Sequence, residues 1–218
     1  CTWLSMAASM GLTPGRGEGP FIRPEDAAQI DDWLRRLLAV AHPASTGWNP
    51  IRCLDHMLAN EDVVYAPWLF NYVNYQTPPG RIRFGAAPRV TDRPARTLLG
   101  GAGIGVSATS GRKEAAFAYA MHLCRPAFQA TDYVRDGGQP GSRAAWTDAT
   151  CNALTGGFFA DCLPVLDASY LRPTYPGFLP LFHAATERLA AVLTRGAPLR
   201  PFVDWLNTTH EQAQKVTA

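Results

Sequence analysis

The chain has 218 residues, 47% of them apolar, enough to build a globular core. Charged residues are only 17%, and 20 basic side chains against 18 acidic ones leave a net charge of +2. That balance excludes a charge-solvated disordered chain and leaves no surplus for a strongly basic nucleic-acid face, so no nucleic-acid partner is expected.

The chain opens on Cys1 rather than Met, with Trp3, Leu4, Met6 and Met10 close behind and no charged stretch before them. The expectation is a piece cut from a longer protein. Cys1 as the lipidated first residue of an exported protein fits less well, because an apolar run follows it where a polar tether is expected. Residues 11–24 are rich in Gly and Pro and read as a loop. A helix should follow Pro24, with Glu25 and Asp26 near the positive end of its dipole. Ile30, Trp33, Leu34, Leu37, Leu38 and Ala41 then recur at one helical face, until Pro43 stops it. A short helix carrying Ile51, Leu54 and Leu58 comes next. Residues 63–66 read as a brief buried strand ended by Pro67, and residues 81–90 as a weaker strand.

The longest uncharged run, 63–80, holds Pro67, Asn71, Asn74, Gln76, Pro78 and Pro79, which hydrocarbon would not accept as a span. Residues 98–107 are apolar and glycine-rich and read as a strand. From about Arg112 a helix puts Phe117, Ala120, Met121, Cys124 and Phe128 on one stripe. Gly137, Gly138, Pro140 and Gly141 break the chain. Phe178, Leu181, Phe182, Ala185, Leu189 and Val192 form another helical face closed by Gly196, and Pro198 restarts a last helix with Phe202, Trp205 and Leu206. The pattern is helix-rich with a few short strands, an α/β or α+β layout.

Chemistry-bearing motifs are scarce. Gly101, Gly103 and Gly105 lack the third glycine of a dinucleotide loop, because Val106 stands there. Gly111 and Lys113 do not make a phosphate-loop ending, and Ser107 lacks the glycines of a nucleophile elbow. His42, His56, His122, His183 and His210 are scattered, and Cys1, Cys53, Cys124, Cys151 and Cys162 contain no C-x-x-C, so no metal site is expected. Cys151 and Cys162 are close enough to pair in an oxidising compartment, but the ordinary reading is that each is a small buried hydrophobe. No cofactor is implied and no catalytic constellation is visible.

Three stretches in order carry more information. They are L-L-G-G-A-G-I-G-V-S from Leu98, then S-G-R-K-E-A-A-F-A-Y-A from Ser110, then G-G-Q-P-G-S-R from Gly137. This order resembles the C-terminal part of the extracellular solute-binding proteins of bacterial ABC importers, the sugar-type family. Lys113, Glu114, Ala115, Ala116 and Leu123 fill the family's helix pattern, and Gly137, Gly138, Pro140 and Arg143 fill its turn. Residues 57–65 are similar to the family's approach to a strand, departing at Asn60, where glycine is common; Asn also tolerates positive φ. The resemblance spans about residues 20 to 215.

It implies a type II periplasmic-binding-protein-like α/β fold, of which this chain would be the C-terminal lobe plus a crossing segment. The expected division is 1–99 for the first part of that lobe, 100–143 for the segment crossing to the other lobe, and 144–218 for the helical remainder. It implies non-catalytic binding of a small polar solute, a sugar by preference, in a cleft between lobes. It further implies delivery to a membrane permease and a periplasmic or extracellular location.

Sugars want flat aromatic faces and a few fixed hydrogen-bond groups. Trp68 is the expected stacking platform, with Asn71 and Tyr72 for hydrogen bonding. The alternative is that Trp68, Phe70 and Tyr72 fill core. Gly100 and Gly101 would admit a ligand close to the backbone, unless they serve a bulge or hinge. Gln139 and Arg143 sit where the family's turn meets the cleft, and Arg143 offers a fork of donors; a surface ion pair is its ordinary alternative. Trp3 and Trp48 are weaker candidates. A different class, a glycan-active enzyme domain with aromatic platforms, would need two carboxylates in one cleft. Asp132, Asp136 and Asp148 are the candidates near the turn. In an excised chain the stripe from Phe117 to Phe128 would lack its partner lobe, so self-association and weak solute binding are expected of it.

Overall fold

A computed structural model describes residues 1–77, 81–89 and 91–215. The helices, in chain order, are α1 (Thr2–Ser9), α2 (Pro24–Leu38), α3 (Pro50–Ala59), α4 (Lys113–Leu123), α5 (Pro126–Phe128), α6 (Arg143–Thr147), α7 (Ala149–Leu154), α8 (Phe158–Asp167), α9 (Phe178–Arg195) and α10 (Leu199–Lys215). Short 3₁₀ turns cover Pro43–Gly47 and Val73–Tyr75, and a π-type turn covers Gln129–Tyr133. The chain is helix-rich. Among the described residues no helix is long and apolar enough to cross a membrane.

The expected strands do not form among the described residues; the backbone pairing of that kind is a single parallel bridge, Leu98 to Tyr170. Residues 63–66 are irregular, with Val64 and Tyr65 exposed, so the apolar letters there are not buried. Residues 81–89 are irregular too; Val90 lies outside the described residues. Beyond Leu98 the expected strand fails for a physical reason. Gly100, Gly101, Gly103 and Gly105 bring no side chain to bury and lose the most backbone entropy on ordering, and residues 100–105 are all exposed.

The chain divides into two compact units. The first comprises Cys1–Asn49, Pro88–Leu99 and Ala168–Ala218; the second comprises Pro50–Ala87 and Gly100–Asp167. The backbone therefore passes four times from one to the other. Residues 100–143 lie wholly in the second unit, which continues to Asp167.

In the first unit, α2 starts as the sequence predicts, with Pro24 at its first turn and Glu25 and Asp26 beside it. Ile30 and Leu34 are buried, while Ala41 lies past the helix end. Burying a side chain of that size contributes about 1.5–3 kcal/mol. α9 ends at Gly196, whose φ of 71° is the left-handed value that favours glycine. α10 buries Phe202, Val203 and Leu206. α1 has no side-chain cap, but it carries two buried serines one turn apart, Ser5 and Ser9. Ser9 Oγ donates to Arg96 O at 2.6 Å and accepts from Arg96 N at 3.0 Å. Ser5 Oγ accepts from Leu98 N at 2.9 Å. Together they satisfy the backbone of the segment that pairs with Tyr170, where Tyr170 N donates to Thr97 O at 2.7 Å and Leu99 N to Tyr170 O at 2.9 Å. Arg96 Nε adds a bond to Ala168 O at 2.8 Å.

The second unit is built on Val73, Val134, Ala145, Trp146, Cys151, Phe158, Phe159 and Cys162. Its rings interlock. Trp146 lies 5.1 Å from Phe159, Phe158 meets Phe159 edge-on at 5.4 Å, and Phe84 meets Phe158 edge-on at 5.5 Å. Such pairs add about 0.5–1.5 kcal/mol each beyond area burial. The expected stripe on α4 is corrected: Ala120 is buried, but Phe117, Met121 and Cys124 are exposed and Phe128 is half-buried. Ile51 of α3 is exposed as well, leaving Leu54 as that helix's buried anchor.

Cys151 and Cys162 are both buried and unbridged, and all five cysteines are free. The Cys151 thiol donates to Ala130 O at 3.2 Å. Titration of the denatured, unreduced protein is therefore expected to count five thiols; three would mean a bridge.

Candidate functional site

The residues singled out for ligand binding, Trp68, Asn71, Tyr72, Gly100, Gly101, Gln139 and Arg143, all fall in the second unit. They come from three stretches: the irregular segment after α3, the glycine run, and the turn that leads into α6 together with that helix's first residue.

Pro67 begins a turn, and Trp68 follows with a φ of 50°. A bulky residue in the left-handed region costs of order 1–3 kcal/mol, so the surroundings must hold it there. Trp68 is half-buried, and its indole Nε1 is buried without a hydrogen-bond partner. Two residues on, Phe70 packs onto Gly100: a Cβ there would stand 2.6 Å from the ring. Glycine at 100 is thus required by Phe70. Gly101 has open space where a side chain would go.

Asn71 is half-buried and hydrogen-bonds the Cys162 thiol. Burial pushes that thiol up to about 11, with the Asn71 bond working the other way. Cys162 is therefore an inert thiol at neutral pH. Tyr72 is exposed and tilts toward Tyr75 at 6.5 Å. Tyr75 Oη donates to Asp55 Oδ1 at 2.7 Å, and that bond raises its pKa.

The turn before α6 is anchored at both ends. Gly137 has a φ of 85°, and Gly138 N donates to Tyr133 O at 2.7 Å, so closely that a Cβ at 138 would meet that oxygen at 2.6 Å. Trp146 Nε1 donates to Pro140 O at 2.7 Å inside the core. Gln129 Oε1 accepts from Ser142 N at 2.8 Å. From this turn Gln139 reaches back to accept from Val73 N at 3.2 Å. The structure thus ties the turn to the segment that carries Trp68, Asn71 and Tyr72, and it ties that segment to Gly100 through Phe70.

Arg143 stands apart. Its guanidinium makes a two-pronged ion pair with Asp167 at 2.5 and 2.7 Å, and that bond holds the Asp167 carboxyl below its usual range. Both groups are exposed, so water screens the pair. In this state its fork is taken, which matches the ordinary alternative to ligand binding. Two carboxylates of the enzyme reading also have local partners. Asp148 caps α7, accepting from Cys151 N at 2.8 Å, which lowers its pKa. Asp132 pairs with Arg135.

Sequence reasoning missed the supports: Gln129, Trp146 and Gln76. Gln76 is buried and spans two elements, donating to Gly156 O at 3.0 Å and accepting from Phe84 N at 3.0 Å. Nothing in its local sequence marks it for that role. Trp3 and Trp48 belong to the first unit. Trp3 is buried in an apolar pocket with Phe21, Phe178, Leu181 and Phe202, and Trp48 stacks on His42 at 4.8 Å.

Comparison of the chain with protein-family models, with curated proteins and with solved structures returns no match.

Proposed function

We propose that the protein binds a small polar solute, a sugar by preference, without transforming it, and serves the membrane permease of an ABC importer from outside the cytoplasmic membrane. The observation that carries this reading is the tethering of the Trp68–Tyr72 segment to the 137–141 turn by Gln139. It sets a strained indole, an amide and an exposed phenol on one supported stretch, which are the groups a sugar's apolar face and hydroxyl rim require. In that reading the exposed glycines at 100–105 are hinge and ligand-approach residues rather than a strand.

The test is calorimetric titration of the intact gene product with a panel of mono- and oligosaccharides. Saturable binding is expected, and Trp68→Ala is expected to weaken it at least tenfold, about 1.4 kcal/mol. Arg143→Ala serves as the second variant. If both bind as tightly as the parent, these residues do not form the site. Turnover of an aryl glycoside by the same preparation would favour a glycan-active enzyme instead.

A further inference from the structure

His210 on α10 is fully buried, yet its two ring nitrogens are unequally served. Nδ1 lies 2.7 Å from Tyr175 Oη, while Nε2 is buried with no hydrogen-bond partner. Phe21 stands edge-on to the ring at 5.3 Å, and the Tyr175 ring lies at 5.3 Å. One turn earlier, Asn207 accepts from Ile22 N at 3.1 Å and donates to Ile22 O at 3.0 Å. Gly15 N donates to Phe21 O at 2.8 Å, and a Cβ at Gly15 would stand 2.6 Å from the Phe21 ring. Gly15, Phe21, Ile22 and Tyr175 are therefore tied together beside α10, all within the first unit.

A neutral imidazole carries one N–H. If Nδ1 carries it, Tyr175 accepts and Nε2 presents a lone pair to the apolar wall. If Tyr175 donates to Nδ1, the N–H sits on Nε2. Protonation fills both nitrogens, so from either tautomer a cationic Nε2–H ends up buried with no acceptor. The Phe21 and Tyr175 faces offer cation–π attraction, which is small beside the cost of taking an ion out of water. On its own helix His210 has Glu211 as the nearest charge, which favours the cation. The segment after α8 presents Tyr175, whose phenol burial pushes up to about 12, so it stays neutral. The loop after α1 presents Phe21, which carries no charge.

We propose that His210, Tyr175 and Phe21 form a pH-sensitive latch: neutral His210 holds the loop between α1 and α2, and the segment before α9, onto α10, and its protonation releases them. Burial lowers the His210 pKa from the ordinary value of 6.5, with Glu211 opposing. A histidine depressed in this way contributes stability in full above the unfolded-state value, and that contribution is lost as the pH falls below it.

The readout is amide exchange at Gly15 and Ile22, whose N–H groups are bonded in the closed arrangement. After correction for intrinsic exchange, protection is expected to fall by up to about twentyfold from pH 7 to pH 5, because the opened state takes up a proton that the closed one refuses. His210→Gln and His210→Phe cannot charge and are expected to flatten this dependence. Tyr175→Phe leaves His210 titratable and is expected to retain it. Equal protection of the parent protein at both pH values overturns the latch, as does an unchanged drop in the His210 variants. Should those variants fail to fold, the ring-nitrogen titration of His210 in the parent protein decides. A transition below pH 6.5 that coincides with loss of protection supports the latch; one at or above 6.5, or without that loss, overturns it.

Discussion

Replacing Phe158 with alanine is expected to destabilise the second unit by about 3–5 kcal/mol, the range for a large buried ring removed from a core that cannot collapse around the gap. Phe158 has no exposed surface, and its ring meets Phe84, Phe159 and Trp146. The cluster around Phe158 also holds Trp146 of α6 and Cys151 of α7, two helices that lack the length to hold themselves. α6 has five residues and α7 has six, well under what an isolated helix needs in water. Their helicity is therefore a consequence of the aromatic cluster. The measurement is a guanidinium melt followed by amide protection in α7 and α8, with Phe117→Ala as the comparison. Phe117 is 61% exposed, so its truncation is expected to stay within about 0.5 kcal/mol. Equal losses in the two variants would mean that the cluster does not organise this unit.

The second large effect is expected from Ser9→Ala in the first unit. A methyl in place of the hydroxyl removes the acceptor for Arg96 N and the donor for Arg96 O, leaving both with no replacement from the new side chain. Each orphaned buried group costs about 1–3 kcal/mol, more than the net worth of the bonds themselves. Thr208→Ala, at an exposed position of the same unit, is the control and should be close to neutral. A Ser9→Ala melt that matches Thr208→Ala would show that Arg96 finds other partners without strain.

These two residues also mark what the sequence makes legible. α2 can be placed from Pro24, two acids in its first turn and a recurring apolar face, because all three signals are local. The end of α9 can be placed from Gly196 for the same reason. Ser9 gives no sign of its role: a serine in an apolar helix reads as neutral, and its partner is 87 residues away. The short helices around Trp146 and Phe158 escape notice because five or six residues carry barely one period of any pattern. The apolar, glycine-rich stretch from Leu98 reads as a strand and is not one, since hydrophobicity alone does not separate a strand from an irregular run. Of the candidate site, the aromatic and amide residues are visible by type. The left-handed turn at Trp68, the Gln139 tether and the Arg143–Asp167 pairing depend on surroundings and approaches that no local pattern encodes.

The interleaving of the two units in sequence has a consequence for biogenesis. The stretches Pro50–Ala87 and Gly100–Asp167 are both synthesised before α9 and α10. α2 packs against α10, which is translated long after it. This connectivity does not suit the usual amino-to-carboxyl order of co-translational folding. The second unit can settle as soon as its own residues are out, while α2, with Ile30 and Leu34 uncovered, must wait for α10 to arrive. That waiting interval is when holding chaperones would have the most to bind.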